Sequence, residues 1–345
     1  MMSSWKSIAV MGGSRPSTST EYQAGGRRPA ILNVTAVLVS ALAAWAVPAA
    51  AHHTKPHQEA VQAARAALVE KKDPQQVKRL LEGLWAEQPS DSETPYLLGV
   101  AHFLLYDPDK SLAMFEVCLA NEARSGDSPQ RLECLYWSGR ASALKAALIW
   151  YYRESIVDGL VKSRRAIGVA LDRYEQVLAK APDHVGTMLS QAEYYMAAPY
   201  LPPMAYGDVA KARALVSKAL VLEADNPRAH YLQARLDLYY NSRRDQARAG
   251  YARVRQLLER GIGGAEAVLL RRWVDFAQAE VAFLDQDFAA AIAYADAYIR
   301  QVPDGAEGHA LKGASLKFLG QDVAGEAQIK KAREFNPRVR RYREP

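Results

Sequence analysis

Apolar residues in the C-terminal half of the chain recur with helical spacing, and the helices themselves recur with a period of 34 residues. Proline stands at position 303 and again at 337, and the same shift pairs Ala279 with Gly313 and Ala291 with Gly325. Two antiparallel helices of about three to four turns each, joined by short turns, fill such a period. Small residues recur where two helices must approach closely, so this pattern predicts repeated helix pairs.

Extending this register along the chain divides it into seven units. They lie at residues up to 89, 92–123, 132–182, 185–224, 227–264, 268–303 and 306–337. Units of this kind cannot bury their apolar faces alone, and stacked neighbours supply the core. The alternation of apolar and polar residues that is typical of strands is not seen along the chain. We therefore expect an all-α protein.

Individual units carry a recognisable pattern. It is seen in residues 207–212 (GDVAKA) followed by Ala219-Leu220 and Asp225-Asn226-Pro227, and again in Leu98-Gly99 followed by Ser111, Phe115 and Cys118. This pattern resembles the tetratricopeptide repeat over about residues 60–337. The resemblance implies a tetratricopeptide-like right-handed superhelix of antiparallel helix pairs, an α-solenoid.

The first fifty residues follow a different pattern. Residues 30–47 are uncharged and apolar, Arg27 and Arg28 precede them, and Pro48 and three alanines follow. This order is typical of a secretory signal peptide cleaved after Ala51 or nearby, although the apolar run is also long enough for a retained membrane anchor. We expect a signal at 1–51, a flexible His-rich terminus at 52–59, the repeat domain at 60–337 and a basic tail at 338–345. The predicted location is periplasmic or secreted.

Charge argues against a nucleic-acid partner. The formal net charge is +6, and removing residues 1–51 takes away four basic residues and one acidic residue, which leaves +3. A chain with so small an excess has no electrostatic footprint for nucleic acid. The basic residues at 338, 340, 341 and 343 are interpreted as a solvated tail, and a membrane is expected as a partner only if the N-terminal segment stays uncleaved.

The tetratricopeptide resemblance also predicts which side chains face the concave groove. Positions 5, 9, 12 and 13 of each first helix do so in that family, and here they are mostly aromatic or aliphatic. Aromatic side chains suit the binding of an extended peptide, a helix or an apolar ligand; alternatively, many of them pack against the next helix as core. The candidate groove residues are Tyr96, Phe103, Tyr231, Arg235, Tyr239, Phe276 and Phe283.

Two units are longer than the period. One contains the run 149–152 (IWYY), and the other carries a proline-rich loop with Tyr200 and Tyr206, which we interpret either as a wall of the binding site or as a lid on a helix end. Tyr194-Tyr195, then Leu201-Pro202-Pro203 and Gly207-Asp208, resemble the T component of TRAP transporters over about residues 135–260. That resemblance implies a periplasmic protein that associates with an extracytoplasmic solute-binding protein.

Sequence motifs of catalysis do not occur in this chain. It contains no GxSxG, HExxH, GxxxxGK[ST] or CxxC sequence, so a nucleophile elbow, a zinc helix, a phosphate loop and a redox dithiol are not predicted. Carboxylates are scattered singly along amphipathic helices rather than paired for acid–base work. We expect no enzymatic activity and no cofactor.

Cysteine and histidine leave two further hypotheses. Cys118 and Cys134 lie on successive helices and either form a structural disulfide, as an oxidising compartment permits, or stay as two buried thiols. His52, His53 and His57 crowd the expected mature terminus, where a free amine and imidazoles are able to bind Cu(II), Ni(II) or zinc. The alternative for the histidines is a flexible polar tail.

The sequence thus favours an exported, non-enzymatic binding scaffold with a protein partner in the cell envelope, accessory to the solute-binding protein of a TRAP-type transporter. Two alternatives stay open. One is a carrier of a small apolar ligand, with a pore closed by the proline-rich loop. The other is an assembly factor for an envelope complex such as a pilus or a polysaccharide exporter.

Overall fold

The computed structural model describes residues 55–85, 91–123, 128–152, 155–197, 207–339 and 342. Within these ranges the chain forms fourteen α-helices and no strand. The helices are α1 Lys55–Val69, α2 Pro74–Trp85, α3 Glu93–Leu104, α4 Pro108–Glu122, α5 Pro129–Tyr151, α6 Ile156–Lys180, α7 Val185–Ala197, α8 Val209–Leu222, α9 Pro227–Tyr240, α10 Arg244–Glu259, α11 Ala267–Leu284, α12 Phe288–Gln301, α13 Ala306–Phe318 and α14 Asp322–Phe335. A short 3₁₀ turn, Gly264–Glu266, precedes α11.

Consecutive helices pair in the order that the 34-residue register predicts. Each predicted unit corresponds to one pair, from α1 with α2 to α13 with α14. The α5–α6 pair is the longest, with helices of 23 and 25 residues. The extra length predicted for the third unit therefore lies in the helices themselves, which form a hairpin that extends past the neighbouring pairs.

Several helices begin at a residue suited to cap their free backbone amides. The side chains of Ser128, Asp208, Asn226 and Asp287 accept hydrogen bonds from backbone amides three residues further on, at 2.9–3.0 Å. A cap of this kind satisfies one of the donors that a helix start leaves open. Proline at the first helical position, as in α4, α5 and α9, needs no such partner.

The two helices of the long hairpin touch through a glycine. A Cβ atom on Gly139 of α5 would lie 2.6 Å from a ring carbon of Tyr174 of α6, so only glycine leaves room for that ring. Tyr174 is fully buried. The part of the hairpin around Gly139 and Tyr174 is therefore tightly packed by one small and one large residue.

The array curves so far that its beginning touches its later part. The apolar core around α1–α5 includes Leu269 of α11 and packs against Ala265 and Trp273. The indole Nε1 of Trp273 lies 3.4 Å from the hydroxyl oxygen of Tyr106, which follows α3. The helix pairs thus curve around a central space.

Both ends of the repeat domain differ from the expected boundaries. Helix α1 begins at Lys55, inside the predicted flexible segment, because His57 is buried with its Nε2 3.3 Å from Oδ2 of Asp91. At the other end Val339 is buried and the Tyr342 ring lies 5.5 Å from that of Phe283. These two residues pack apolar surface on the last pairs, while Arg338, the basic residue of the predicted tail that the structure describes, is exposed. Residues 340, 341 and 343–345 lie outside the described residues.

Candidate ligand-binding cavity

A cavity of about 160 Å³ lies inside the curve of the helix pairs. Helices α5, α6, α7, α9 and α11 provide most of its wall. Apolar surface predominates in that wall, and aromatic rings make up much of it. The aromatic residues that line it are Phe103, Tyr106, Trp150, Tyr174, Tyr194, Tyr231, Tyr239, Trp273, Phe276 and Tyr298.

Small residues on the long hairpin leave the space open. Ala146 and Ala147 follow Ala143 by three and four residues, so they share one face of α5, and all three line the cavity. Ala170 faces the cavity from α6. A methyl group fills little of the volume that a larger side chain would take, so the alanines on this face of the hairpin leave part of the cavity volume free.

Five of the predicted groove residues come together in this wall. They are Phe103, Tyr231, Arg235, Tyr239 and Phe276. They come from helices α3, α9 and α11, which the sequence places far apart. The register of the repeat therefore identifies side chains that share one surface.

Two other predicted residues do not reach the cavity. The Tyr96 ring packs 6.4 Å from Phe115, and its hydroxyl points to Glu133 at 3.5 Å. Phe283 lies among Phe288, Phe318 and Tyr342. Both serve as packing residues between helices, because neighbouring rings cover them. Tyr200 and Tyr206 lie outside the described residues.

A group of paired charges, with buried arginines and partly exposed glutamates, borders one end of the cavity through Arg140 and Glu193. We call it the arginine–glutamate network; its members are Tyr136, Arg140, Glu193, Arg228 and Glu266. Arg228 donates two hydrogen bonds to Glu193, at 3.1 and 2.8 Å, and one to the Tyr136 hydroxyl at 3.0 Å. Arg140 donates to Glu266, and Tyr136 donates to the same carboxylate at 2.9 Å. The network joins α5, α7, α9 and the 3₁₀ turn, so it fixes the spacing of the helices that line the cavity.

The environment of the network keeps its groups charged or paired. Burial alone would raise the pKa of Glu266, but the guanidinium groups of Arg140 and Arg228 lower it overall. Burial raises the pKa of the Tyr136 hydroxyl, which therefore stays protonated and able to donate. Each of these charges is matched by a partner in the wall, as buried charges require.

A second polar group lies on the α9 and α11 side. The guanidinium of Arg235 lies 5.9 Å from the ring centre of Tyr231 and 5.8 Å from that of Tyr239, within the range of cation–π attraction. The Tyr239 hydroxyl donates to Glu280, and the Tyr342 hydroxyl lies 3.4 Å from the same carboxylate. These polar atoms are thus also engaged by neighbours in the protein.

Some lining residues were not among the groove predictions. Tyr106, Trp150, Tyr174 and Tyr298 belong to a turn, a second helix or the long hairpin, which the groove positions of the repeat do not cover. Trp273 lies on the first helix α11, three residues before the groove position Phe276. The run 149–152 and the alanine spacing in α5 are sequence signals that point to this face. The partners within the network carry no such signal, because Arg140 and Glu266 are 126 residues apart.

The cysteines and histidines lie away from the cavity wall. Cys118 of α4 and Cys134 of α5 form a disulfide with a Cα–Cα distance of 6.3 Å. His57 lies against Asp91 and Thr94, and His52 and His53 lie outside the described residues. In the described parts of the chain, no three His, Cys, Asp or Glu side chains group as metal ligands would. No helix within the same ranges is both long and apolar enough to cross a bilayer.

Known proteins resemble this chain in structure rather than in sequence. No protein-family profile and no curated protein matches it. It is similar to the crystal structure of the APC/C hetero-tetramer Cut9–Hcn1, with a TM-score of 0.57 and 11% identity, over 79% of this chain and 45% of that one. A thermophilic TPR protein of Thermus thermophilus matches with a TM-score of 0.47 and 19% identity, over 66% of this chain and 100% of that one.

The comparison with Cut9–Hcn1 bears on the fold alone, and this chain spans less than half of the length of the chain it matches there. The predicted all-α, tetratricopeptide-like solenoid of antiparallel helix pairs is confirmed.

Proposed function

We propose that this protein is a non-enzymatic binding protein that holds a small, uncharged and largely apolar molecule in its central cavity. The observation that carries the proposal is the convergence of five predicted groove residues on one cavity whose polar wall groups already have partners. Arg140 and Glu193 are engaged within the arginine–glutamate network, and Glu280 accepts from Tyr239. A charged ligand would have to break such pairs, whereas an apolar ligand leaves them in place.

The size of the cavity favours a molecule with one or two rings. An engineered protein cavity of about 150 Å³, lined by aliphatic and aromatic side chains, is known to bind benzene. The present cavity has a similar volume, about 160 Å³, and aromatic rings on several sides. Rings of this kind contact a planar apolar ligand over a large area at little conformational cost.

The first test is binding of simple aromatic probes. Toluene and indole are titrated into the protein, and binding is followed by calorimetry and by the rise in unfolding temperature that a ligand of the folded state causes. Mass spectrometry of an organic extract of the purified protein identifies any compound that is already bound. No probe binding and no extracted compound would contradict the proposal.

A cavity-filling variant links binding to this site. Ala147→Phe places a ring in the space that the α5 alanines leave, and we expect at least a tenfold loss of probe affinity with the helical content retained. The matched control is Ala63→Phe, because Ala63 lies on the exposed face of α1. Equal probe affinity in both variants would place the binding site elsewhere.

A protein partner is a second element of the proposal. It draws on the solenoid fold, and the chain that matches in Cut9–Hcn1 is part of a hetero-tetramer. Association with a periplasmic solute-binding protein, and export itself, stay predictions from the sequence. The signal segment and the proline-rich loop that carry them lie outside the described residues. A pull-down from envelope extract tests them: one co-eluting solute-binding protein supports this role, and its absence contradicts it.

A further inference from the structure

The tip of the α5–α6 hairpin presents apolar side chains to solvent. Ile156, Val157 and Val161, at the start of α6, are 67%, 71% and 60% exposed, and Tyr152, just before them, is 57% exposed. Single exposed apolar residues are ordinary, but here Ile156, Val157 and Val161 lie in the first two turns of α6, and Tyr152 ends the helix before them. We call these four side chains the hairpin-tip patch.

Basic residues lie beside the patch on the same face of the helix. Arg164 and Arg165 are exposed. They follow Val161 by three and four residues and Val157 by seven and eight, which places the four side chains on one side of α6. The carboxylate of Asp158 is paired with Lys162 at 2.8 Å. The two arginines therefore give this face a positive excess.

We propose that the hairpin tip docks on an anionic lipid surface, with the hairpin-tip patch in the headgroup region and Arg164 and Arg165 against the lipid phosphates. An apolar group flanked by basic residues is what binding at such an interface requires. A typical protein partner covers about 20–30 residues on each side, and this patch is much smaller. The proposal does not rest on the ligand of the cavity, although Ser163 and Ile167 on the inner side of the same helix line that cavity.

The test uses the full chain with vesicles of phosphatidylcholine alone and of phosphatidylcholine with 30% phosphatidylglycerol. The apolar segment at residues 30–47 is itself able to bind lipid, so a readout specific to the tip is needed. Hydrogen exchange followed by mass spectrometry supplies it. We expect anionic vesicles to slow exchange at residues 155–165 severalfold and neutral vesicles to do so much less.

Two paired variants separate the apolar and the charged contributions. Val157→Asp with Val161→Asp removes vesicle protection of the tip, whereas Val221→Asp with Val323→Asp, at positions 85% and 89% exposed elsewhere, leaves it unchanged. Arg164→Glu with Arg165→Glu weakens binding to anionic vesicles about tenfold or more. The control for that change is Lys330→Glu with Lys331→Glu on the exposed face of α14. Raising the salt concentration weakens binding in the same direction as the arginine changes.

Three outcomes would overturn the proposal. One is exchange at residues 155–165 that anionic vesicles do not alter in the folded wild-type protein. Another is a pair of tip variants that behave like their controls. The third is a wild-type dimer, seen by light scattering, that the Val157 and Val161 changes dissociate while lipid has no effect; the patch would then be covered by a second copy of the chain.

Discussion

The two ends of the long α5–α6 hairpin are held in different ways. At its base, Cys134 is bonded to Cys118, and Tyr136 and Arg140 belong to the buried arginine–glutamate network. At its tip, the Tyr151 hydroxyl donates to Glu307 of α13, and the hairpin-tip patch faces solvent. Both ends border the same cavity, because Arg140 and Trp150 are among its lining residues.

This difference indicates where the cavity is fixed and where it opens. Local opening follows the regions with fewer buried contacts and more exposed surface. Separating the helices at the base would expose several paired charges, while moving the tip breaks the hydrogen bond from Tyr151 to Glu307 of another pair. We therefore expect a ligand to enter on the tip side, with the base keeping the shape of the site.

The largest expected effect on stability comes from removing Arg228, the central cation of the arginine–glutamate network at the hairpin base. Arg228→Ala leaves Glu193 and Glu266, whose side chains are 14% and 17% exposed, without their shared partner, and the loss of stability should be about 3–5 kcal/mol. Urea unfolding measures it. The control is Arg253→Ala: this arginine pairs with Asp225 at 2.6 Å at the surface, where a pair contributes about 0–1 kcal/mol. Similar losses in the two variants would mean that the network does not hold the base.

Reduction of the disulfide is expected to have the next largest effect. Cys118 and Cys134 close a loop with a sequence separation of 16, and a bridge over a loop of that size contributes about 3 kcal/mol. Thermal unfolding with and without a reductant measures the change. The double variant Cys118→Ala, Cys134→Ala should unfold like the reduced protein and be insensitive to the reductant. A wild-type protein that is equally insensitive would show that the bridge does not stabilise the base.

Positions within a repeat and contacts between distant repeats differ in how far the sequence predicts them. Repeat register predicts the helix pairs, and it identifies Phe103, Tyr231 and Phe276 as residues of one surface, because each occupies a groove position of the first helix in a regular unit. The register does not extend to contacts made by the curvature of the whole array. Arg140 meets Glu266, and Trp273 meets Tyr106, only because the pairs stack into a tight curve.

Two errors in the groove prediction have local causes. Phe283 is at a groove position, but Tyr342 from the C-terminal segment packs on its ring, and a repeat pattern contains no information about a segment beyond the last repeat. Tyr96 is at a different groove position of its unit, but its ring turns to Phe115 and its hydroxyl to Glu133. Position in a repeat determines the face of a helix, while the neighbouring side chains determine whether that face is open.

Acidic pH should destabilise the base of the α5–α6 hairpin by protonating Glu266. The pKa of this carboxylate is lowered in the folded protein from its ordinary value of 4.5, so the folded state binds its proton less readily than the unfolded state. Its contribution to stability is therefore present above pH 4.5 and is lost as the pH falls through the lowered pKa. Urea unfolding from pH 7 to pH 3.5 should show this loss, to a smaller extent than Arg228→Ala causes.

Other carboxylates also titrate in that range, so the wild type must be compared with Glu266→Gln. The variant keeps the shape of the side chain but does not titrate, and its stability should fall less steeply with acid. Parallel curves for the two proteins would show that Glu266 does not carry the pH dependence.

The smallest effect is expected at the tip, and it tests the comparison most directly. Burial and the nearby Glu307 carboxylate raise the pKa of Tyr151, so its hydroxyl stays protonated and donates to Glu307. Tyr151→Phe removes that hydrogen bond to a charged, buried acceptor and should cost about 1.5–3 kcal/mol. Hydrogen exchange should rise at residues 150–160 and stay unchanged at residues 134–141, while Tyr152→Phe, at the exposed neighbour, should change neither. If exchange rises equally at the base, the hairpin opens as one unit, and entry of a ligand at the tip would have to involve breaking the arginine–glutamate network as well.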